Sequence, residues 1–206
     1  VGWNGAILHY DGIGWSTMSQ FTSMTLFDVW GTSAGDAFAV GATIYHYDGS
    51  SWDAVDCPGG FLYGVWGSSA SDVFAVGESG LIVHYDGAVC TEMDSDTNAH
   101  LDGVWGSSGS DVFAVGQDYY SRTILHYDGA AWSDMTNYES GGLSDVWGIS
   151  GSDVFAVGEA GAILHYDGTD WSEMTSGTPQ QLQGVWGIAS EVFALGDAGT
   201  ILHYGE

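Results

Sequence analysis

The chain repeats itself, and this bounds what it can fold into. The segments V-W-G, D-V-F-A-V-G, I-L-H-Y-D-G and W-S-x-M recur in that order along all 206 residues. The V-W-G tryptophans, Trp30, Trp66, Trp105, Trp147 and Trp186, stand 36, 39, 42 and 39 residues apart. A period near 40 that holds several short apolar segments belongs to a propeller, solenoid or array, in which each unit buries its faces against its neighbours.

The copy over residues 143–178 shows four strand-like segments. Residues 143–148 and 154–158 are apolar runs separated by Ser150, Gly151, Ser152 and Asp153, which is turn chemistry. Residues 163–166 follow, then Asp167-Gly168, then residues 171–174. Asp-Gly between two such runs marks a tight hairpin, because glycine takes the positive φ the turn requires. Four antiparallel strands per period is the blade count of an all-β propeller. We call them A (V-W-G, innermost), B (D-V-F-A-V-G), C (I-L-H-Y) and D (W-S-x-M). No 3.6-residue apolar spacing supports a helical repeat.

The copies divide as a partial unit near 1–25, then 26–60, 61–99, 100–141 and 142–180, and a partial unit over 181–206. The chain opens on a fragment of B followed by C and D, and closes on A, B and C. The expectation is a single domain of five four-stranded blades, the N-terminal D strand closing the ring beside the last C strand. The alternative is six blades with one incomplete. Five is preferred because a missing inner strand leaves an unpaired edge. The surplus strand, residues 6–10, then either lies outside D as a fifth strand of the closing blade or pairs with another molecule.

These repeats resemble the V-W-G, D-V-F-A-V-G, I-L-H-Y-D-G, W repeats of secreted or surface proteins of bacteria. More loosely they are similar to tectonin-type propellers, whose units also carry tryptophans and an I-Y-R-Y-D-G-like strand. The resemblance spans essentially the whole chain and implies a binding or scaffold module. Tectonin-type members often bind carbohydrate, which makes a lectin-like role an expectation here.

Composition narrows the partners. One Lys or Arg stands against 27 Asp and Glu, a formal net charge of −26, and Arg122 is the single residue of its kind. Nucleic acid and anionic membranes are held by clusters of Lys and Arg, so neither is expected as a partner. The remaining classes are a glycan or an extracellular protein, with self-association through the N-terminal strand. Salt or divalent cations would relieve the self-repulsion, which suits an extracellular or cell-surface setting. No apolar run approaches the roughly 18 residues of a membrane-spanning helix, and no signal-peptide pattern opens the sequence.

Cys57 follows one D strand and Cys90 begins the next. Counted along a strand at about 3.3 Å per residue, they lie about 15 Å apart near opposite faces. A bridge needs Cα atoms within about 7 Å, so two free thiols are expected.

Histidine stands in six equivalent C-strand positions: His9, His46, His84, His126, His165 and His203. On the third strand from the axis these rings diverge, so each is expected to bond within its own blade, to the Asp of the A–B turn, rather than to join a metal ring. The A-strand tryptophans are expected to pack between blades. The D-strand tryptophans are expected to pack in the outer blade, with stacking on a sugar as the functional reading.

Function is sought where the copies diverge. The A–B and C–D turns barely vary and share one face, whereas the B–C and D–A connections share the other and differ from copy to copy. One copy holds most of the divergence. Its B–C loop, residues 117–123, is three residues longer than its counterparts, and residues 94–102 and 137–139 flank it. Asp118, Tyr119, Tyr120, Arg122 and Tyr138 are therefore the candidate ligand-binding residues. Asp94, Asp96, Asn98 and Asp102 have the 1, 3, 5, 9 spacing of a calcium loop. Ala99 stands where that loop has Gly, and Trp105 where it has the bidentate Glu, so a solvated acidic loop is preferred over a calcium site.

Catalysis finds little support. The sequence has no G-x-S-x-G, no H-E-x-x-H and no lysine, and nothing singles out a carboxylate pair for glycoside cleavage. The expectation is a non-catalytic propeller that binds through its variable face; its alternatives are a structural, self-assembling unit and, least favoured, a glycoside hydrolase.

Overall fold

The computed structural model describes residues 1–18, 21–119, 121–136, 140–188 and 191–205. All regular structure beyond single 3₁₀ turns is antiparallel β, in six sheets taken in chain order. Blade 1 is a hairpin of β1 (Leu8–Tyr10) and β2 (Trp15–Thr17). Blade 2 holds β3 (Asp28–Ser33), β4 (Asp36–Val40), β5 (Ile44–Tyr47) and β6 (Trp52–Ala54). Blade 3 holds β7 (Leu62–Ser69), β8 (Asp72–Gly77), β9 (Ile82–Tyr85) and β10 (Cys90–Met93). Blade 4 holds β11 (His100–Ser108), β12 (Asp111–Asp118), β13 (Ser121–Tyr127) and β14 (Trp132–Asp134). Blade 5 holds β15 (Leu143–Ser150), β16 (Asp153–Gly158), β17 (Ile163–Tyr166) and β18 (Trp171–Glu173). Blade 6 stops at three strands, β19 (Leu182–Ile188), β20 (Glu191–Gly196) and β21 (Thr200–Tyr204).

The expected five-blade closure is therefore corrected. Six sheets form, the first and last incomplete, and among the described residues no strand pairing joins β1 or β2 to blade 6. The reason is locality. β2 needs only the Asp11-Gly12 turn to pair with β1, in the register Leu8↔Thr17, His9↔Ser16, Tyr10↔Trp15. Reaching β21 would mean bringing together segments nearly the whole chain apart. The hairpin seats itself on blade 2, where Ile7, Met18 and Phe21 meet Ala39, Tyr45 and Trp52.

One contact sets the spacing between blades. The indoles of Trp30, Trp66, Trp105 and Trp147 each lie on the V-W-G glycine of the following blade. A Cβ at Gly67 would stand 2.8 Å from the Trp30 ring, and one at Gly106 would stand 2.7 Å from Trp66. The same holds for Gly148 under Trp105, at 2.6 Å, and for Gly187 under Trp147, at 2.8 Å. Around these stacks the apolar B-strand residues of blades 3, 4 and 5 are fully buried. Four apolar clusters repeat one pattern, each centred on the Phe of one blade and the A and B strands of the next. Trp186 has no following blade among the described residues and is 56 % exposed.

A disulfide joins Cys57 and Cys90, with Cα atoms 4.9 Å apart, which overturns the expectation of free thiols. The sequence spacing measures the separation along one flat blade. Strands rotate by about 20–25° from one to the next, so the outermost strand lies steeply across the innermost. The end of one outer strand thereby meets the start of the next. Ser95 and Trp132, the equivalents of Cys57 and Cys90 one blade on, also line a common cavity. The bridge thus stands where the next blade pair has a serine and a tryptophan, and it bonds blade 2 to blade 3 inside the cluster of Phe38, Val65 and Val83.

Two tests follow from this packing. Gly106→Ala forces a methyl into the Trp66 ring and the Asp111 carbonyl, and should lower stability by about 1–3 kcal/mol in urea titration. Replacing both cysteines by serine opens a loop of 33 residues' separation. Loop entropy then sets an expected loss of about 3–4 kcal/mol, read from the same titration with and without reductant.

Candidate functional site

Within each blade the polar repeats hold the scaffold together. His46, His84, His126 and His165 meet Asp36, Asp72, Asp111 and Asp153 through Nε2 at 2.6, 2.7, 2.7 and 2.8 Å. His203 pairs in the same way with Glu191. Each ring also faces the B-strand phenylalanine, as His46 faces Phe38 at 4.4 Å between centroids. The within-blade reading of these histidines thus holds for five of the six; His9 sits in blade 1, for which no B strand is among the described residues. Thr32, Ser68 and Ser107 donate to the other oxygen of Asp36, Asp72 and Asp111. The order is hydroxyl, carboxylate, imidazole. With the carboxylate in the middle, no imidazole is placed to take the hydroxyl proton, so these are ties rather than nucleophilic triads.

The D-strand tryptophans pack, with one exception. Trp132 is 9 % exposed and meets Phe74 edge-on, Trp171 meets Phe113 likewise, and Trp52 stacks on Phe21. Trp15 is 71 % exposed.

The variable face is built where B–C turns meet D–A connections. In blades 3 and 5 the turn is Gly77-Glu78-Ser79-Gly80 and Gly158-Glu159-Ala160-Gly161, with Ser79 and Ala160 in the left-handed region at φ 55° and 53°. The D–A connections press against these turns. Gly80 N donates to Ala99 O at 2.6 Å, and the Glu78 and Glu159 carboxylates accept from Phe61 N and Gly142 N at 3.1 and 3.2 Å. Three concavities result. The first, 540 Å³, is lined by Glu78, Glu92, Asp94, Asp96 and Asn98 among others. The second, 270 Å³, brings Asp96 together with Asp118, Arg122 and Asp134. The third, 620 Å³, runs along Glu159, Glu173 and residues 174–179, again with Arg122 in its wall.

The sequence-derived candidates are only partly assembled there. The long B–C loop of blade 4 is no open loop, because its extra residues lengthen both strands through the pairs Gln117↔Arg122 and Asp118↔Ser121. Arg122 is consequently 3 % exposed, donating from Nη2 to Ser140 O at 3.1 Å and lying 3.9 Å from Glu173 Oε1. It braces blade 4 against blade 5 instead of standing out toward a ligand. Tyr119 tips the hairpin at φ 52° and 90 % exposure, outside the lining of all three concavities. Tyr120 and Tyr138 lie outside the described residues.

The calcium-like spacing does not become a ligand set either. Asp94, Asp96 and Asn98 share the first concavity, while Asp102 belongs to the inner strand β11 and is absent from its lining. Asp94 already accepts from Asp96 N at 3.1 Å, and Asp96 sits at φ 53°. Among the described residues no three His, Cys, Asp or Glu side chains gather as a metal would need.

Sequence reasoning missed two residues on the inner strands. The position before V-W-G is Asp28, Gly64, Gly103, Asp145 or Gly184. Where it is Asp, the carboxylate crosses to the next blade: Asp28 accepts from Val65 N at 2.9 Å and Asp145 from Val185 N at 2.8 Å. Each also accepts from the amide of the residue after it. Burial outweighs these bonds, raising Asp28 and pushing Asp145 up to about 7, with the Asp28 charge adding to the latter. The signal was the alternation of Asp and Gly at one repeat position.

A group whose folded pKa is raised holds its proton in the fold after the unfolded chain has lost it. Stability therefore falls as pH rises from about 4 to about 7, by roughly 1 kcal/mol per pH unit for a single such group. Asp145→Asn keeps an acceptor for Val185 N and removes the charge. It should flatten this slope and raise stability at alkaline pH, as measured by urea unfolding across that range.

No family model matches this sequence, and no curated protein does. Solved structures match its fold. YCF48 bound to a D1 peptide is similar over 98 % of this chain and 71 % of its own, with a TM-score of 0.75 at 17 % identity. YCF48 from Cyanidioschyzon merolae has a TM-score of 0.73 at 13 % identity, over 97 % and 76 %. A catalytically inactive virginiamycin B lyase from Staphylococcus aureus, with quinupristin, has a TM-score of 0.72 at 13 % identity, over 98 % and 78 %. At these identities the likeness is one of architecture, and the chain has a β-propeller fold.

Proposed function

We propose that this propeller is a non-catalytic binding module that takes a basic, extended segment of a partner protein along its variable face. The observation that carries the reading is the first concavity, a 540 Å³ hollow rimmed by Glu78, Glu92, Asp94 and Asp96 in a chain with a single arginine, itself buried elsewhere. A hollow lined by one sign of charge concentrates the opposite charge. A propeller of similar architecture has been solved with a peptide bound, which supports the class of partner. A glycan is less well served, since Trp132, Trp171 and Trp52 spend their faces on Phe74, Phe113 and Phe21. The disulfide supports an extracellular or cell-surface setting, where such bonds persist. The V-W-G type of bacterial surface repeat remains the family we assign on its motifs.

The test is fluorescence anisotropy with a labelled Lys- and Arg-rich peptide at low and moderate salt. Glu92→Gln, Asp94→Asn and Asp96→Asn combined should weaken binding about tenfold, at roughly 0.5 kcal/mol per exposed charge. Asp48→Asn, Asp86→Asn and Asp167→Asn combined remove the same charge from the opposite face and should leave affinity within about twofold. Equal weakening by both sets would reduce the effect to net charge and overturn the assignment of the face.

A further inference from the structure

Inward of the first concavity, the inner strands β7 and β11 begin on the variable face. Blades 2 to 5 each have four strands, so this place is flanked on both sides by described structure. The position directly after the buried leucine of each inner strand reads Phe27, Tyr63, Asp102, Ser144 and Gln183 from blade 2 to blade 6. The leucine always recurs, and its neighbour never does.

Blades 3 and 4 approach closely here because Gly64 follows Tyr63. A Cβ on Gly64 would stand 2.9 Å from the Asp102 carbonyl oxygen. Phe27 meets the Tyr63 ring edge to face at 5.1 Å and 86°, and the His100 ring lies 6.2 Å from it on the other side, at 44°. Burial and the nearby charges of Glu78 and Asp102 push the Tyr63 hydroxyl above its ordinary pKa. Glu78 also lines the concavity, where its Oε1 accepts from Phe61 N at 3.1 Å. Phe61, 42 % exposed, lies in the chain between Gly60 of that lining and Tyr63. Hollow and strand ends thus form one continuous surface that shares Glu78.

Asp102 is the unusual member of this surface. Asp28 and Asp145, one position further along their own strands, each accept two backbone amides. Asp102 is half-buried, and its carboxylate accepts no hydrogen bond among the described residues. Burial raises its pKa, and the His100 charge opposes that shift only in part. The ionised carboxylate therefore destabilises the fold at neutral pH, and a cation seated against it would offset that cost. The aromatic neighbours select the cation. A guanidinium is planar, stacks on an aromatic face and meets a carboxylate through two parallel hydrogen bonds, whereas an ammonium holds its water strongly.

We infer that an arginine side chain of the basic segment seats here, its guanidinium paired with Asp102 and lying against the Tyr63 ring, with Glu78 on the path from the hollow. The inference rests on the peptide binding proposed above and sharpens it from positive charge in general to an arginine at one fixed place.

Two labelled peptides of equal length and charge, one with arginine and one with lysine at every basic position, are titrated by fluorescence anisotropy. The arginine peptide should bind about five- to tenfold more tightly. Asp102→Asn should weaken the arginine peptide about tenfold and the lysine peptide no more than about threefold, which removes the preference. Tyr63→Leu should reduce the preference, and Tyr63→Phe, which keeps the ring, should preserve it. Loss of a half-buried charge should leave the urea midpoint of Asp102→Asn at or above that of the wild type at neutral pH, so that weakened binding reports a lost contact and not a lost fold. Equal affinity for the two peptides, or a preference that survives Asp102→Asn, would overturn the inference. The hollow would then still stand as the peptide site if Glu92→Gln, Asp94→Asn and Asp96→Asn combined weaken both peptides alike. Binding of neither peptide would overturn both assignments together.

Discussion

The indole-on-glycine contact between consecutive blades is the constraint on which the rest depends. A tryptophan ring can lie on the next inner strand only if that strand has no side chain there, so the glycine of V-W-G is the receptor for the tryptophan of the blade before. This couples the two residues across a period rather than within it. Among the described residues Gly31 has no indole against it and Trp186 has no V-W-G glycine under it, since neither an A strand before blade 2 nor one after blade 6 is described. The repeat is an interface code, and each copy is complete only beside another.

With that interface fixed, single positions are free to be spent differently. Cys90 occupies the slot that Trp132 and Trp171 fill in blades 4 and 5, and the volume lost is compensated by a covalent bond to Cys57. Asp28 and Asp145 stand where Gly64, Gly103 and Gly184 leave room, and their carboxylates reach a backbone amide of the adjoining blade. Both devices tie neighbours together across boundaries that the tryptophan stack already defines. The carboxylates do so at a cost that grows with pH, since their burial favours the protonated form.

How much was legible follows from the range of each interaction. The four-strand unit, the Asp-Gly hairpins and the histidine–aspartate ties all lie within one period, and the sequence displays them in register. The blade count was missed because β2 had two partners consistent with its pattern, and the nearer one won on loop length. The disulfide was missed because it depends on accumulated strand twist, which no spacing along the chain reports. Arg122 was misplaced for a related reason. Three added residues read as a longer loop, but an even extension of both strands absorbs them and turns the guanidinium inward.

The acidity itself divides by face. On the conserved face, Asp11, Asp48, Asp86, Asp128 and Asp167 each accept two backbone amides in the Asp-Gly turn, which holds their carboxyls below the usual range, Asp48 at about 2. Those charges are committed to turn geometry, and the stability they add persists until the pH falls below the ordinary carboxylate range. On the variable face, Glu78 and Glu159 each cap one amide, while Glu92 and Asp96 accept from no amide among the described residues. A chain of this composition thus uses carboxylates as structural acceptors on one side and leaves uncommitted ones on the other. The side with charge to spare is also the side whose connections differ from blade to blade, and it is there that a partner of opposite charge would gain most by binding.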